Sequence, residues 1–325
     1  MNVLTNTNGC GLCRENEIKF YKAIPQLDRK IVQCRNCGLV FVHPVNGTFV
    51  TLDFEALEER EEKYHRMNVE AEREGKHDED MINEEEETRT LHFSRRKKTI
   101  ERYVNTGKLL DVGCGRGFFL SNFVDSPFDY VGVEPRRRIS KEAKKRVGED
   151  KIICGTLKEA KLPDATFDVV TMINLVEHLS SPRETLEEVN RIMKHNGLVY
   201  IETPNLDSLV PKILGKRWHA YLEREHHYFF SKKTLAKMLG ATGFRVERTG
   251  MGNKLFSIRY LLYRLSWYNA RMSLHLERIF EGFRLLDRAV KIPQPDELVF
   301  IARKTMDVAG LTANEQPVTA DSTGQ

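Results

Sequence analysis

Apolar residues from about residue 105 onward alternate between short continuous runs and longer stretches with helical spacing. The short runs predict seven strands, at Lys108–Val112, Asp129–Val133, Lys151–Cys154, Phe167–Ile173, Leu198–Ile201, Phe244–Val246 and Glu297–Ala302. The longer stretches predict helices at Phe118–Val124, Arg136–Val147, Pro182–Met193 and Lys232–Leu239. This alternation predicts an α/β protein with a Rossmann-like, doubly wound seven-stranded sheet that binds its ligands at the carboxyl ends of the strands.

The first predicted strand breaks into a glycine-rich turn. Gly113, Gly115 and Gly117 stand at every second position, so no Cβ atom keeps the backbone away from a ligand. The second strand ends in Glu134, twenty-one residues after Gly113, where a carboxylate can accept hydrogen bonds from both hydroxyls of a ribose. The two features together predict a nucleoside pocket.

The spacing of the glycines narrows the choice of nucleoside. A dinucleotide fold has G-x-G-x-x-G around a pyrophosphate, whereas this turn reads G-x-G-x-G and begins with Asp111. A carboxylate repels a pyrophosphate but not the ammonium group of an amino acid. Residues 111–117 and Glu134 resemble the first motif and the ribose acid of the class I S-adenosyl-L-methionine (SAM)-dependent methyltransferases. A nicotinamide-dependent enzyme and an incidental strand-turn-helix are the alternatives.

The resemblance extends over about residues 107–205. It implies that Asp111, the three glycines and Glu134 bind SAM, and that Thr156 and Leu157 meet the adenine edge after the third strand. Asn174 follows the fourth strand and is a further cofactor-binding candidate. Residues 177–178, which follow the fourth strand, are Glu-His. The corresponding motif also ends in Glu-His in the small-molecule and sugar-modifying branch of these enzymes, which this segment resembles. We therefore expect SAM as the cofactor.

Two histidines are the candidate catalytic residues, because imidazole titrates near neutral pH and can act as a general base. His178 follows the fourth strand; alternatively, it only braces the cofactor loop. His226 lies in residues 223–231, which resemble the segment after strand five in zinc-ribbon-bearing methyltransferases, including sugar C-methyltransferases, where the histidine meets the acceptor. Alternatively, the histidine pair caps the next helix through Ser231. Those C-methyltransferases have Tyr-His before Glu-His, whereas residues 223–224 are Glu-Arg, which counts against carbon methylation of a keto-sugar.

Four cysteines near the N-terminus have the spacing of a metal site. Cys10, Cys13, Cys34 and Cys37 form C-x2-C-x20-C-x2-C, which fits four thiolates around Zn²⁺. Strand-like residues 31–33 and 39–42 favour a zinc ribbon. The zinc would be structural, because four thiolates leave no open coordination position. The alternative is four unpaired, buried thiols.

These observations predict four parts of the chain. We expect a zinc ribbon at 1–50, a charged helical linker or lid at 51–104, a methyltransferase domain at 105–304 and a disordered tail at 305–325. The linker is acidic, with 16 Asp and Glu against 6 Lys and Arg in residues 52–90, although the whole chain carries +4. Residues around Tyr64 either close over the pocket or belong to solvated helices that link the two modules.

A helical insertion is predicted at 257–292 within the methyltransferase domain. Apolar residues and arginines alternate there, which fits a helical cap on the sheet or a peripheral contact with a membrane surface. No secretory signal and no apolar run of membrane-spanning length is apparent, so we expect a cytoplasmic protein.

The leading interpretation is a SAM-dependent methyltransferase that acts on a small molecule, either a sugar nucleotide or a glycan or polysaccharide precursor. An RNA methyltransferase is the first alternative, because residues 136–145 form a basic face and a zinc module can bind RNA. The sequence lacks interleaved aromatic residues for base stacking, which argues against nucleic acid. The second alternative is a non-catalytic SAM-binding or zinc-ribbon scaffold protein.

Overall fold

The computed structural model describes residues 4–5, 10–27, 29–43, 93–259, 262, 270–283, 285–286 and 288–308. Tyr64, residues 51–92 of the predicted linker and most of the predicted tail lie outside the described residues. Among the helices of the described ranges, none is both long and apolar enough to cross a membrane.

The main sheet has seven strands, which confirms the predicted fold class. We name them β5 (Gly107–Val112), β6 (Phe128–Glu134), β7 (Ile152–Cys154), β8 (Phe167–Ile173), β9 (Met193–Pro204), β11 (Phe244–Ser257) and β12 (Ala289–Lys304). Their order across the sheet is β11-β12-β9-β8-β5-β6-β7. Strands β5 to β9 are parallel, whereas β12 is antiparallel to β9 and β11 is antiparallel to β12. The carboxyl ends of five parallel strands therefore share one edge.

The helices between the strands largely follow the predicted pattern. They are α1 (93–100), α2 (Arg137–Val147), α3 (Pro182–Ile192), α4 (Leu209–Leu214), α5 (His219–Leu222), α6 (Lys232–Ala241) and α7 (Ala270–Gly282). The predicted helix at Phe118–Val124 was wrong, because only a 3-10 turn forms there, at Leu120–Phe123. The side-chain amide of Asn122 donates to the Phe118 carbonyl, and the Asn122 backbone N–H donates to Phe119 instead.

Apolar cores cover both faces of the sheet, because successive residues of a strand point to opposite sides. Strands β5, β8 and β9 each give two successive residues to opposite cores. The first core contains Leu109, Val169 and Leu198, and the second contains Leu110, Val170 and Val199. Ile100 of α1 is in the first core, and Leu186 of α3 and Leu235 of α6 are in the second. This layering confirms the doubly wound arrangement.

Strands β11 and β12 are longer than predicted, so the insertion is shorter than 257–292. The two strands remain paired as far as Ser257 and Ala289. The prolines of β12 hid this extension, because proline cannot donate to a strand ladder. The register shifts where Met251 pairs with Leu298 and Gly252 with Gln294, and Pro295 lies within that irregularity. Helix α7 exposes Leu274 and other apolar residues, and the suggested membrane contact there stays a prediction.

A second sheet contains the cysteine module, and its strand order is β1-β2-β3-β4-β10. The first four strands are β1 (Leu4–Thr5), β2 (Glu17–Ile24), β3 (Arg29–Cys34) and β4 (Val40–Val42). The fifth, β10 (Tyr228–Phe229), comes from the segment after β9 and pairs antiparallel with β4. A third apolar core joins the two parts through Ile31 and Val40 on one side and Trp218, Tyr221 and Phe229 on the other.

Candidate functional site

The glycine turn lies at the carboxyl end of β5. Gly113, Gly115 and Gly117 have φ values of +72°, +52° and +78°, which L side chains rarely adopt. A Cβ atom on Gly113 would lie 2.9 Å from the side chain of Leu175, and one on Gly117 would lie 3.3 Å from Ala143. A Cβ on Gly115 would meet nothing within 4 Å. The middle of the turn therefore borders open space, where a ligand can approach the backbone.

Glu134 ends β6 beside this turn and is only 2% exposed. Its Oε2 accepts from the Gly115 N–H at 3.0 Å, and its Oε1 accepts from the backbone N–H and Nε of Arg136 at 3.1 and 2.7 Å. The carboxylate therefore joins the glycine turn to the start of α2. This is the position from which it can reach a ribose.

Asp111 lies in β5, two residues before the first glycine of the turn, and its side chain is buried. Its Oδ1 accepts from the Thr171 hydroxyl at 2.6 Å. Burial raises the pKa of Asp111 to about 7, although the Thr171 hydrogen bond opposes the shift. Asp111 thus supports the turn from beneath.

The three remaining cofactor candidates lie along the same edge. The Gly155 N–H donates to the Glu134 carbonyl at 3.1 Å, so Thr156 and Leu157 follow directly beside the ribose acid. Leu157 is buried, whereas Thr156 donates to Glu159 at 2.8 Å through both its backbone N–H and its hydroxyl. Asn174 has a φ of +50°, and its N–H donates to the Glu202 carbonyl at 2.9 Å. The sequence-predicted cofactor residues are therefore grouped around the ends of β5 to β8.

The two predicted catalytic histidines are close together. The ring centroids of His178 and His226 lie 4.6 Å apart, with an angle of 77° between the ring planes. Nδ1 of His226 lies 2.9 Å from the Ala220 carbonyl. A carbonyl oxygen can only accept a hydrogen bond, so we assign the proton to Nδ1 and a lone pair to Nε2. His226 thus has one nitrogen fixed by the protein and one available for chemistry.

Burial controls the charge of both rings. It lowers the pKa of His226 to about 3, with a further contribution from the charge of His178. It also lowers the pKa of His178 to about 4, and the charges of His227 and Arg136 act in the same direction. Both histidines are therefore neutral at pH 7. Arg136 donates a hydrogen bond to Glu134, and its positive charge also lowers the pKa of His178. The same side chain therefore interacts with the predicted ribose acid and with the histidine pair.

Glu177 is a site residue that the sequence interpretation missed, although it belongs to the Glu-His pair after β8. Its Oε2 accepts from Thr203 at 2.9 Å, and its Oε1 lies 4.0 Å from Nε2 of His178. Burial raises the pKa of this carboxyl to about 8. Its backbone carbonyl accepts from the N–H groups of His227 and Tyr228 at 2.7 and 3.2 Å. This residue therefore connects the two histidine-bearing segments.

The capping alternative for the histidine pair was wrong. Ser231 accepts from the Thr234 N–H at 3.1 Å, and the Thr234 hydroxyl accepts from the Ser231 N–H at 3.0 Å. This reciprocal pair caps α6. Neither His226 nor His227 is needed for that purpose.

The four N-terminal cysteines meet at one point. The Sγ atoms of Cys10 and Cys37 are 3.5 Å apart, as are those of Cys13 and Cys34, and all four lie within 4.8 Å of one another. Tetrahedral Zn²⁺ with bonds of about 2.3 Å places its sulfurs about 3.8 Å apart. The hydrogen bond with Cys37 lowers the pKa of Cys10, so the group favours a thiolate. The donor set and its geometry therefore suit a zinc ion.

A family model described as a methyltransferase domain matches residues 81–249, which are 169 of the 325 residues. The chain belongs to this methyltransferase family. Together with the SAM-type glycine turn and the seven-stranded sheet, the match identifies an enzyme that transfers methyl groups from SAM. The predicted class and fold are thereby confirmed, and the fold supports SAM as the cofactor.

Several known proteins are similar to this methyltransferase over part of its length. A protein of Mycolicibacterium smegmatis named as a probable SAM-dependent methyltransferase is 28% identical over 141 residues, or 43% of this chain and 53% of that protein. The ubiquinone biosynthesis O-methyltransferase of Photobacterium profundum is 27% identical over 103 residues, or 30% and 44%. The chain thus spans about half the length of these relatives.

Among solved structures, a SAM-dependent methyltransferase of Archaeoglobus fulgidus is similar to 66% of this chain and 94% of its own. Its sequence identity is 23% and its TM-score is 0.46.

The residues at the sheet edge fit SAM. The open space at Gly115 suits close passage of the methionyl portion, Glu134 would hold the ribose hydroxyls, and Leu157 would flank the adenine. SAM supplies an electrophilic methyl group on a sulfonium. The protein residues must then bind it, exclude water and orient the acceptor.

Proposed function

We propose that this enzyme methylates a small-molecule acceptor, a sugar nucleotide or a glycan precursor, and that His226 removes the acceptor proton. The observation that carries the role of His226 is the 2.9 Å contact between its Nδ1 and the Ala220 carbonyl, from which we assign the tautomer. Its Nδ1 contacts the Ala220 carbonyl, which leaves the lone pair on Nε2, and the ring lies next to His178 and in one group with Glu177. The acceptor becomes strongly acidic as its bond to the methyl carbon forms, so a neutral imidazole can take its proton even though burial lowers the pKa of His226.

In the proposed reaction, the acceptor's electron pair forms a bond to the methyl carbon while the carbon–sulfur bond breaks. S-adenosylhomocysteine leaves with that electron pair, and the acceptor proton moves to Nε2 of His226. Holding the reactants in line can supply about 7–11 kcal/mol of the barrier. A positioned base adds roughly 10²–10⁴-fold.

The electrostatics favour a small acceptor over RNA. Several cations of the basic α2 face already pair with carboxylates of this chain. Arg138 contacts Glu142 at 3.4 Å, and Lys144 contacts Glu149 at 3.1 Å. Such pairing reduces the charge that the face offers to phosphates.

The four cysteines are proposed to hold one structural zinc ion. Their sulfurs surround a single point at separations suited to a tetrahedral ion. All four coordination positions are then filled by protein, so the metal would stabilise the second sheet and not take part in methyl transfer.

Release of S-adenosylhomocysteine with different acceptors tests the acceptor class. Purified enzyme and SAM would be incubated separately with nucleotide sugars, glycan precursors, isoprenoid phenols and RNA. The phenols are included because one relative is named for ubiquinone biosynthesis. The proposal predicts acceptor-dependent release with a sugar nucleotide or glycan precursor. Release with phenols alone, or salt-dependent release with RNA alone, would overturn it.

A further inference from the structure

Arg29 of the cysteine module makes contact with the backbone that carries His226. It begins β3, and its guanidinium extends to the segment after β9. Nη1 donates to the Glu223 carbonyl at 2.6 Å, and Nη2 donates to the carbonyl of His226 itself. The planar fork of arginine can hold two acceptors at fixed positions, which the single ammonium of lysine cannot reproduce.

Other contacts place the module against the same segment. The Val42 N–H donates to the His227 carbonyl at 2.8 Å, immediately before β10 pairs with β4. The hydroxyl of Tyr228 donates to the Ser180 carbonyl at 3.2 Å. Residues 226–229 are therefore enclosed between the second sheet and the loop after β8.

Gly11, between the first two cysteines, allows the cysteine loop to lie close against the segment that carries His226. A Cβ atom there would lie 2.8 Å from the hydroxyl oxygen of Tyr228. In addition, Nη1 of Arg183 on α3 donates to the Leu12 carbonyl at 3.0 Å. The cysteine loop thus contacts both the segment that carries His226 and the helix that follows His178.

We propose that Arg29 is a positioning residue for His226, so that the cysteine module forms part of the wall of the methyl-acceptor site. The ring of His226 is fixed through Nδ1 by Ala220, and its backbone is fixed by Arg29. Within the turn itself, the His226 N–H donates to the Glu223 carbonyl at 3.3 Å. Arg29 binds the carbonyls at both ends of this turn and so determines where the ring lies.

The expected effect of Arg29 on turnover rests on the proposed role of His226 as the base. The proposal that Arg29 fixes the position of His226 does not. The ring nitrogens report the hydrogen bond to Ala220 without any acceptor present. Enzyme with ¹⁵N-labelled histidine would be compared with Arg29→Ala, Arg29→Lys and Lys30→Ala. Lys30 is exposed and next to Arg29 in β3, which makes it a matched control. The His226→Gln spectrum identifies the signals of His226 as those that disappear.

We expect His226 to be protonated at Nδ1 in the unmodified enzyme and in Lys30→Ala. In Arg29→Ala its signals should move toward the mixed tautomers of a free imidazole, and Arg29→Lys should restore them only partly. SAM affinity by calorimetry should stay within about twofold. A folded Arg29→Ala with unchanged His226 signals would overturn the proposal, as would full restoration by lysine. If Arg29→Ala does not fold, Arg29→Lys decides, because an unchanged spectrum there contradicts the two-carbonyl role.

Turnover provides a separate measurement once the acceptor panel has identified a substrate. Arg29→Ala should lower kcat by at least tenfold while the KM for SAM stays within twofold. If the His226 signals move in Arg29→Ala but no acceptor of the panel is methylated, the positioning role of Arg29 stands and the proposed acceptor class is wrong. An unchanged kcat despite the tautomer change would show that His226 is not the base.

Discussion

At the scale of single residues, the buried carboxyl groups near the edge of the sheet differ in how many hydrogen bonds they accept. Glu134 accepts from four N–H donors, one of Gly115 and three of Arg136. Asp111 and Glu177 are also buried but have fewer donors, and burial raises their pKa values to about 7 and 8. The donors around Glu134 hold its carboxylate at the edge of the sheet, whereas burial favours the protonated form of Asp111 and Glu177.

Glu134→Ala should weaken SAM binding by about 1.5–3 kcal/mol, because it removes charge-assisted hydrogen bonds to the ribose. This corresponds to a rise in Kd of roughly 10- to 150-fold, measurable by calorimetry. Asp129→Asn is the matched control, since Asp129 lies near the opposite end of β6 and is exposed. Unchanged affinity in Glu134→Ala would contradict the assignment of the ribose acid.

Glu177 should make the folded state less stable as the pH rises. Its pKa is about 8 in the folded enzyme against 4.5 for an unperturbed glutamate, so the folded state binds more protons between these values. The free energy of unfolding therefore falls across that window. Below pH 6.5 the histidines, with lowered pKa values, act in the opposite direction, so the clean comparison is between pH 6.5 and 8.

In that range, Glu177→Gln should lose less stability than the unmodified enzyme, by up to about 2 kcal/mol for one proton. Urea unfolding at several pH values measures the difference. Glu184→Gln, at an exposed position on α3, should leave the pH dependence unchanged. Parallel pH profiles for the enzyme and Glu177→Gln would show that Glu177 is ionised throughout.

At the scale of elements, helix α1 is fastened to the sheet by a buried ion pair. Arg96 of α1 contacts Glu202 of β9, with Nε and Nη2 at 2.6 and 2.5 Å from Oε2. The hydroxyl of Tyr200 donates to the other carboxylate oxygen. Both charged side chains are at least 92% buried, so each depends on its partner.

Arg96→Ala should destabilise the enzyme by about 3–5 kcal/mol, because it leaves a buried carboxylate without its counter-ion. Chemical unfolding would measure the loss. Lys98→Ala, at an exposed position of the same helix, is the control and should change stability by less than about 0.5 kcal/mol. Equal effects of the two substitutions would show that the ion pair adds no stability.

The elements also show what could be predicted from sequence. Strand β8 and helix α3 were predicted almost to the residue, because each is long enough to display its own period. Strand β10 has two residues, Tyr228 and Phe229, and therefore no period to detect. It exists because β4 provides a partner, which is a contact between distant parts of the chain.

The site was predictable to a similar extent. The positions of Gly115 and Glu134 in the fold could be predicted because a local motif determines the backbone at each of them, and their role in SAM binding stays a prediction. The proximity of His178 and His226 could not be derived from spacing, since the residues are far apart in the chain. The contacts of Arg29 had no sequence signal either, because they depend on the position of the second sheet against the first.

At the scale of the whole molecule, the cysteine module and the methyltransferase domain share structure. Leu12 and Phe41 of the module and Tyr228 and Phe230 after β9 belong to one apolar core. Strand β10 completes the second sheet. The module is therefore not expected to behave as a separate, independently mobile attachment.

Metal analysis should find one zinc ion per chain, and Cys34→Ser should abolish it. A four-thiolate site is worth about 10–16 kcal/mol in isolated modules, so strong chelation should unfold the second sheet. Hydrogen exchange should then rise in residues 10–43 and 226–229. Strands β5, β6 and β8 should stay protected by the core on the other face of the sheet, which contains Leu109, Tyr130 and Val169 and no residue of the cysteine module. Cys154→Ser, at an exposed cysteine outside the cluster, should keep the metal. Zinc-free protein with a protected second sheet would contradict this prediction.

The central claim is that SAM binding and proton removal belong to different residues of one edge, with His226 as the base. The most direct measurement is the rate of S-adenosylhomocysteine release by His226→Ala with the acceptor found in the panel, at SAM concentrations set by calorimetry. We predict an unchanged Kd for SAM and a turnover lower by about 10²–10⁴-fold. Full turnover, or loss of SAM affinity in the same variant, would contradict the account.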